Sequence, residues 1–232
     1  MTSIESVLPG GALYLPERAG WLRRLRVGIR ALRVLTRNPD DCFAAPAFHL
    51  SMDRETWEKV AEKLRDTTEG RLLLRERPSL QAKDLDLCAL RMLPPDSLGN
   101  TLVRYYDDNG IEPFKSLYPV NNDVEYLATR YREIHDIAHI VSGYKPDEIG
   151  ELELQAFILG NLGLRQSVLA IVGTALFPPS QFPPLRAYAR RLMAAFRRGQ
   201  ASGDIAIEPR YEHFWDHTLE DLRQQLRIAA SK

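Results

Sequence analysis

Apolar positions along this chain recur at three- and four-residue spacing, and no stretch alternates apolar and polar residues as a half-buried strand does. The pattern therefore predicts an all-α fold, a single-domain multi-helix bundle. Trp21, Leu25, Leu32 and Leu35 share one face of a helix over 21–37. Asn38 to Asp41 breaks it, and 43–52 reads as a connector. Trp57, Val60, Ala61 and Leu64 mark a helix over 53–67, with Asp53 as a cap and Gly70 as a stop, followed by a link over 71–77. Leu85, Cys88, Ala89 and Met92 mark a helix over 80–93, and a short one follows over 100–109.

The next stripe is Leu127, Tyr131, Ile134, Ala138 and Val141. Asn122 or Asp123 can cap that helix, with Glu125 placed for a capping box. Gly143 ends it and Pro146 blocks its continuation. A further helix starts near Asp147. Residues 153–177 read as one long apolar helix, buried rather than spanning, because Asn161, Arg165 and Gln166 interrupt it and the apolar run from Val168 is too short to cross a bilayer. A basic helix over 185–199 and a last helix over 211–230 complete the chain, with residues 1–20 as a loose arm.

Composition narrows the class. The 232 residues suit one domain, and 31 acidic against 31 basic residues give no global attraction to nucleic acid. Cys42 and Cys88 have neither metal nor redox spacing and read as inert thiols in a reducing compartment. The local charge is less even. The helix over 21–37 holds six arginines and no acid. It fits a membrane-surface helix, a transit peptide, or a packed helix with a solvated basic side. Glu5 and Glu17 before it argue against a cleaved leader. The arginines of 185–199 fit a solvated face or the steering of an anionic substrate or lipid surface.

The candidate chemistry lies between 131 and 157. His135, Asp136 and His139 form H-D-x-x-H, and Glu151 follows after eleven residues. Imidazole and carboxylate hold zinc and related divalent ions. At about 3.6 residues per turn the histidines stack on one helix, with Asp136 about 100° round from His135. A turn at Gly143–Pro146 can fold Glu151 back, which places a metal site on a helix-turn-helix pair. The zinc-protease motif H-E-x-x-H is not met, because Asp stands where the general base would be. Ordinary histidines at a core edge satisfy the same spacing. His213 and His217, with Asp216, form a second i, i+4 pair that lacks a third ligand at a recognisable spacing.

Longer text around the motif resembles a known family. H-D-x-x-H, eleven residues and Glu is the signature of the ubiquinone (coenzyme Q) biosynthesis family numbered fourth in the Coq series. S-G-Y at Ser142–Tyr144 and G-E-L-E-L-Q-A-F at Gly150–Phe157 match it as well. So do N-P-D-D from Asn38, G-R-L-L-L-R-E-R-P from Gly70, L-P-P-D-S-L-G from Leu93, R-G-Q from Arg198 and L-R-Q-Q-L-R-I from Leu222. The resemblance covers roughly residues 30 to 230.

It implies an all-helical fold and a divalent metal on His135, Asp136, His139 and Glu151, which would act in catalysis through that metal. Zinc comes first, with iron, manganese or cobalt as alternatives. It implies a polyprenylated hydroxybenzoate or other isoprenoid-quinone precursor as ligand, its tail along residues such as Leu154, Ile158 and Leu162. The reaction implied is removal of the ring carboxyl coupled to hydroxylation. Partners would be the other ubiquinone biosynthesis enzymes and a membrane surface, with a homo-oligomer open and no nucleic acid. The location would be cytoplasmic with peripheral membrane contact in a bacterium, or the matrix side of the mitochondrial inner membrane in a eukaryote. A lipid-binding scaffold with a structural metal and an unrelated metal-dependent hydrolase remain the alternatives.

Overall fold

Eleven α-helices and two single 3-10 turns make up the described part of the chain, and no strand occurs there beyond one isolated bridge between Ser97 and Thr218. The computed structural model describes residues 11–38, 41–176, 183–203 and 207–228. Expectations for 1–10, Pro39–Asp40, Phe177, all but the last two residues of the loop that the prolines from Pro178 to Pro184 predict, and the residues after 228 lie outside them. Two compact units divide the chain, Met1–Asp84 with Pro113–Glu133, and Leu85–Glu112 with Ile134–Lys232.

In the first unit the helices are α1 (Trp21–Leu35), α2 (Ala44–Asp66), α3 (Thr68–Glu76) and α6 (Asp123–Glu133). The connector expected over 43–52 is instead the first half of α2. Asp41 Oδ1 accepts from the backbone of Phe43 and Ala44, and Pro46 falls in the first turn, where its missing N–H costs nothing. Asp53, where the helix over 53–67 was expected to begin, is a buried kink at which two helical segments of α2 meet, with φ −125° and ψ 21°. The link expected over 71–77 is α3. Thr67 caps it by accepting from Gly70 N, so Gly70 lies inside the helix rather than ending α2. Trp57, Leu73, Leu127 and Tyr131 form the core of this unit.

Glu133 ends α6 as a buried clamp. Its carboxylate accepts from Ser79 Oγ, Leu80 N and Gln81 Nε2, while burial pushes its pKa up. Those bonds hold 79–81 as an irregular strap, which is why the helix expected over 80–93 shrinks to α4 (Leu87–Arg91) in the second unit. There Leu90 is the buried residue and Met92 is exposed.

The second unit continues with α5 (Leu98–Asn109), α7 (His135–Ser142), α8 (Glu148–Leu162), α9 (Arg165–Leu176), α10 (Leu185–Ala201) and α11 (Leu219–Gln225). The helix expected over 153–177 is broken, because Gly163 takes φ +73° and closes α8 through its N–H to Leu159 O. α8 and α10 cross at two glycines. A Cβ on Gly160 would come within 2.2 Å of Phe196 O, and one on Gly199 within 2.0 Å of Phe157 O. The last helix starts late, at Leu219, since the preceding segment is a strap on the start of α5. Leu98 N donates to His217 O, Gly99 N to Trp215 O, and Leu219 N to Asp96 O. Among the described residues no helix is long and apolar enough to cross a membrane.

Candidate metal centre

The helix expected to run from Asn122 to Gly143 is two helices. Asn122 does cap the first, accepting from Glu125 N, while Glu125 reaches back to Asn121 rather than closing a box on Asn122. Ile134, at φ −92° and ψ 1°, interrupts the run, and its carbonyl accepts from Ala138 N to start α7. His135 is thereby the first residue of an eight-residue helix whose carbonyl end is closed by Gly143 at φ +79°. Lys145–Pro146 turns the chain, and Asp147 caps α8 by accepting from Gly150 N at 2.8 Å. Glu151 then faces back to α7.

Three of the four expected ligands converge. Ligand atoms of His135, His139 and Glu151 all lie within 4.8 Å of one another. His135 Nε2 stands 3.3 Å from Glu151 Oε2, and His139 Nε2 stands 2.9 Å from Glu151 Oε1. The imidazoles meet edge to face with centroids 4.9 Å apart. Asp136 is buried and does not join this group.

The chemistry of the cluster turns on His139. Its side chain is fully buried, and its Nδ1–H donates to Tyr144 O at 3.0 Å. That bond fixes the tautomer and leaves an acceptor lone pair on Nε2. Yet Nε2 faces a carboxylate, also an acceptor, and makes no hydrogen bond. An ionised carboxylate and two imidazole nitrogens turned towards one point fit a divalent cation, which would satisfy all three at once.

Residues outside the motif hold it in place. Arg223 on α11 donates to Val141 O and Ile140 O, each at 2.9 Å, and Arg198 on α10 donates to Ser142 O at 2.9 Å. Both arginines thus satisfy end carbonyls of α7 that no intrahelical N–H can reach. The Arg198 guanidinium also lies over the rings of Tyr144 and Phe157. Tyr105 of α5 stacks on His139 with centroids 6.1 Å apart. Spacing within the sequence gave no sign of these contacts, although Arg198 and Arg223 fall inside the separated R-G-Q and L-R-Q-Q-L-R-I stretches.

Of the tail-lining candidates, Leu154 and Ile158 are buried in the core and Leu162 is half-buried. The second histidine pair is not helical. His213 ends a 3-10 turn, and His217 Nδ1 lies 3.0 Å from Asp216 Oδ1 at the surface. These residues do not form a ligand group of three.

Comparison with known proteins points one way. Residues 38–232 match the family profile described as Coenzyme Q (ubiquinone) biosynthesis protein Coq4. The zebrafish (Danio rerio) protein named ubiquinone biosynthesis protein COQ4 homolog, mitochondrial, is 30% identical over 75% of this chain and 65% of its own length. The Yarrowia lipolytica protein named ubiquinone biosynthesis protein COQ4, mitochondrial, is 32% identical over 73% of this chain and 63% of its own. The chain therefore spans less than two thirds of these relatives. A crystal structure of a Nostoc punctiforme protein assigned to ubiquinone biosynthesis superposes with a TM-score of 0.70 at 25% identity, covering 88% of this chain and 95% of that one.

Proposed function

We propose that this chain, which belongs to the Coq4 family of ubiquinone biosynthesis proteins, binds a divalent metal through His135, His139 and Glu151 and uses it to remove the ring carboxyl of a polyprenyl-hydroxybenzoate, coupled to hydroxylation. The observation that supports this reading is the buried His139 Nε2, oriented by Tyr144 O and without a hydrogen bond of its own. Zinc suits the donor set best for the loss of the carboxyl, but the coupled hydroxylation is a two-electron oxidation that zinc cannot carry, so it needs dioxygen at a redox metal such as iron, manganese or cobalt, or another enzyme of the pathway to supply the oxidation. Such an ion supplies Lewis acidity, which stabilises negative charge on a ring oxygen as carbon dioxide leaves. Three protein ligands leave coordination positions for a phenolate or carboxylate, and Asp136 is proposed to complete or support the set from its buried position on α7.

His139 keeps its ring fixed through Nδ1, and Arg198 and Arg223 keep the carbonyl end of α7 in register, so the donors are held before substrate arrives. The prenyl tail is proposed to run along α8, by Leu162 and inward towards Leu154 and Ile158. Because the last two are buried, tail binding has to displace neighbours in the core. The work is proposed to take place at a membrane surface, in company with other enzymes of the pathway.

Metal analysis by mass spectrometry tests the reading, on wild type and His139→Ala, with circular dichroism as the check on folding. About one ion per wild-type chain, lost in a folded His139→Ala, is expected. A wild type that takes up none of zinc, manganese, cobalt or anaerobic ferrous iron would overturn it. An assay with prenylated hydroxybenzoate then follows.

A scaffold role is a second reading, favoured by the surface of α9, which leaves Val168, Leu169, Val172 and Leu176 exposed. In that case the metal is structural. Chelation would then unfold the protein, whereas a catalytic metal leaves a folded, inactive apo-protein.

A further inference from the structure

Helix α1 is built inside out for a helix of a water-soluble domain. Such a helix turns its apolar stripe to the core. Here Trp21, Leu22, Leu25, Ile29 and Leu32 are all between 44% and 71% exposed, and the buried positions are the small Val27, Gly28 and Ala31. Projected at about 100° per residue, the five exposed apolar residues fall within one arc of about 100°. Arg23, Arg26, Arg30 and Arg33 fill the next arc, of about 80°, and the buried residues take the third. The four arginines are exposed.

The orientation is fixed by α2. Arg24, on the buried side, pairs with Glu55 through Nη2 at 2.9 Å and donates to Ser51 O at 3.4 Å. Gly28 lies so close to α2 that an added Cβ would come within 2.7 Å of Ser51 Oγ. Rotating α1 to bury its leucines would break that pair and drive larger side chains into α2.

We propose that α1 is a docking helix for an anionic bilayer, with its leucine sector among the acyl chains and its arginine sector at the phosphates. Charge complementarity selects this occupant. Seven arginines and no acidic residue lie between Glu17 and Asp40. A second copy of the chain set against this face would bring two arginine rims together, which opposes association. An anionic bilayer offers apolar depth and negative charge side by side, the two things that adjacent sectors of one helix require. Fifteen residues at about 1.5 Å each give a helix of about 22 Å, which lies in the surface rather than crossing it. The family match begins at residue 38, so this surface lies outside it. The proposal rests on the membrane-surface part of the function proposed above and on none of its chemistry.

The test is co-sedimentation of the full chain with vesicles, without metal or prenylated substrate, so its failure leaves the metal centre untouched. Vesicles of phosphatidylcholine with about 30% phosphatidylglycerol are compared with phosphatidylcholine alone. Wild type is expected to partition at least about tenfold more strongly onto the anionic vesicles, and to weaken as salt rises from about 0.05 M to about 0.5 M. Leu25→Ser/Leu32→Ser and Arg26→Gln/Arg30→Gln/Arg33→Gln should each lower partition more than about tenfold. Both variants change exposed side chains, and circular dichroism checks that they stay folded. A blue shift of tryptophan emission on binding should vanish in Trp21→Phe. Absence of binding to anionic vesicles at low salt would overturn the proposal. So would full binding by the leucine variant, which would mean that the apolar sector is not inserted. A dimer dissociated by that variant, with no vesicle binding, would assign the face to a second copy instead.

Discussion

Adding a single methyl group at Gly150 separates two roles for the start of α8. If Gly150 is only a helix residue, Gly150→Ala should stabilise the protein by about 0.5–1 kcal/mol, because alanine loses less backbone entropy. The surroundings say otherwise. A Cβ there would lie 2.1 Å from Lys145 O, 2.8 Å from Lys145 N and 2.9 Å from its carbonyl carbon. All three are backbone atoms, so no rotamer change relieves the overlap. Restoring a carbon–oxygen contact of about 3.3 Å requires the first turn of α8 to move by about 1 Å. Overpacking of this kind costs about 1–3 kcal/mol and outweighs the helix-propensity gain.

The next residue is Glu151, and metal ligands tolerate displacements of only about 0.2 Å. Gly150→Ala should therefore lose about 1–2 kcal/mol of stability and more than about tenfold in metal affinity. Urea unfolding of metal-free and metal-loaded protein, with a competing chelator, reads both quantities. Gly173 in α9 is the control, since an added Cβ there meets nothing within 4 Å. Gly173→Ala should gain about 0.5–1 kcal/mol. A Gly150→Ala protein as stable as wild type, with unchanged metal affinity, would refute the reasoning.

Three further outcomes follow from contacts away from the ligands. Arg223→Gln strips Val141 O and Ile140 O of a charged donor and should cost about 1.5–3 kcal/mol in urea unfolding; an unchanged midpoint would remove Arg223 from the support of α7. Arg198→Lys keeps the charge but loses the planar group 4.9 Å over Tyr144, and should cost about 0.5–2 kcal/mol by the same measurement. Asp123 gives a pH signature. Burial works to raise its pKa, yet Arg77 and Arg65 hold it below its ordinary 3.8. A depressed carboxyl adds stability that is fully present above 3.8 and is lost as pH falls through the lower folded value. Asp123→Asn should cost about 0.5–1 kcal/mol at neutral pH, discounted for solvent screening, and the difference should close in acid. A gap that persists in acid would assign the loss to something other than charge.

Helix content was legible because periodicity is local, but helix boundaries were not, because distant groups set them. Gly143 and Asp147 announced the turn between α7 and α8, and each does what its residue type permits: a left-handed close and a side-chain cap. Gly70 looked the same as Gly143 in the sequence. It is not a stop, because Thr67 supplies a cap just before it and starts a new helix. The shortened helix at α4 and the late start of α11 have one cause. Residues 79–81 are tied to Glu133, and 215–219 are tied to the start of α5, so in both places long-range hydrogen bonds replace local helix. Residues more than fifty positions apart make the first set, and periodicity within a window cannot register them.

At the site, spacing brought His135 and His139 together because a helix repeats, and Glu151 joined them because the turn length matched. Asp136, on the same helix, is buried outside this group of three. The support of α7 was invisible for a different reason. Arg198 and Arg223 act on backbone carbonyls, and carbonyls have no residue identity to match in a motif. The α1 surface shows the converse. Its apolar stripe was plain, but a stripe alone assigns no direction. Only Gly28 against Ser51 and Arg24 against Glu55 show that the smaller residues face inward and the leucines outward. A hydrophobic pattern identifies a face that must be covered; the close contacts on the opposite side decide whether protein or another phase covers it.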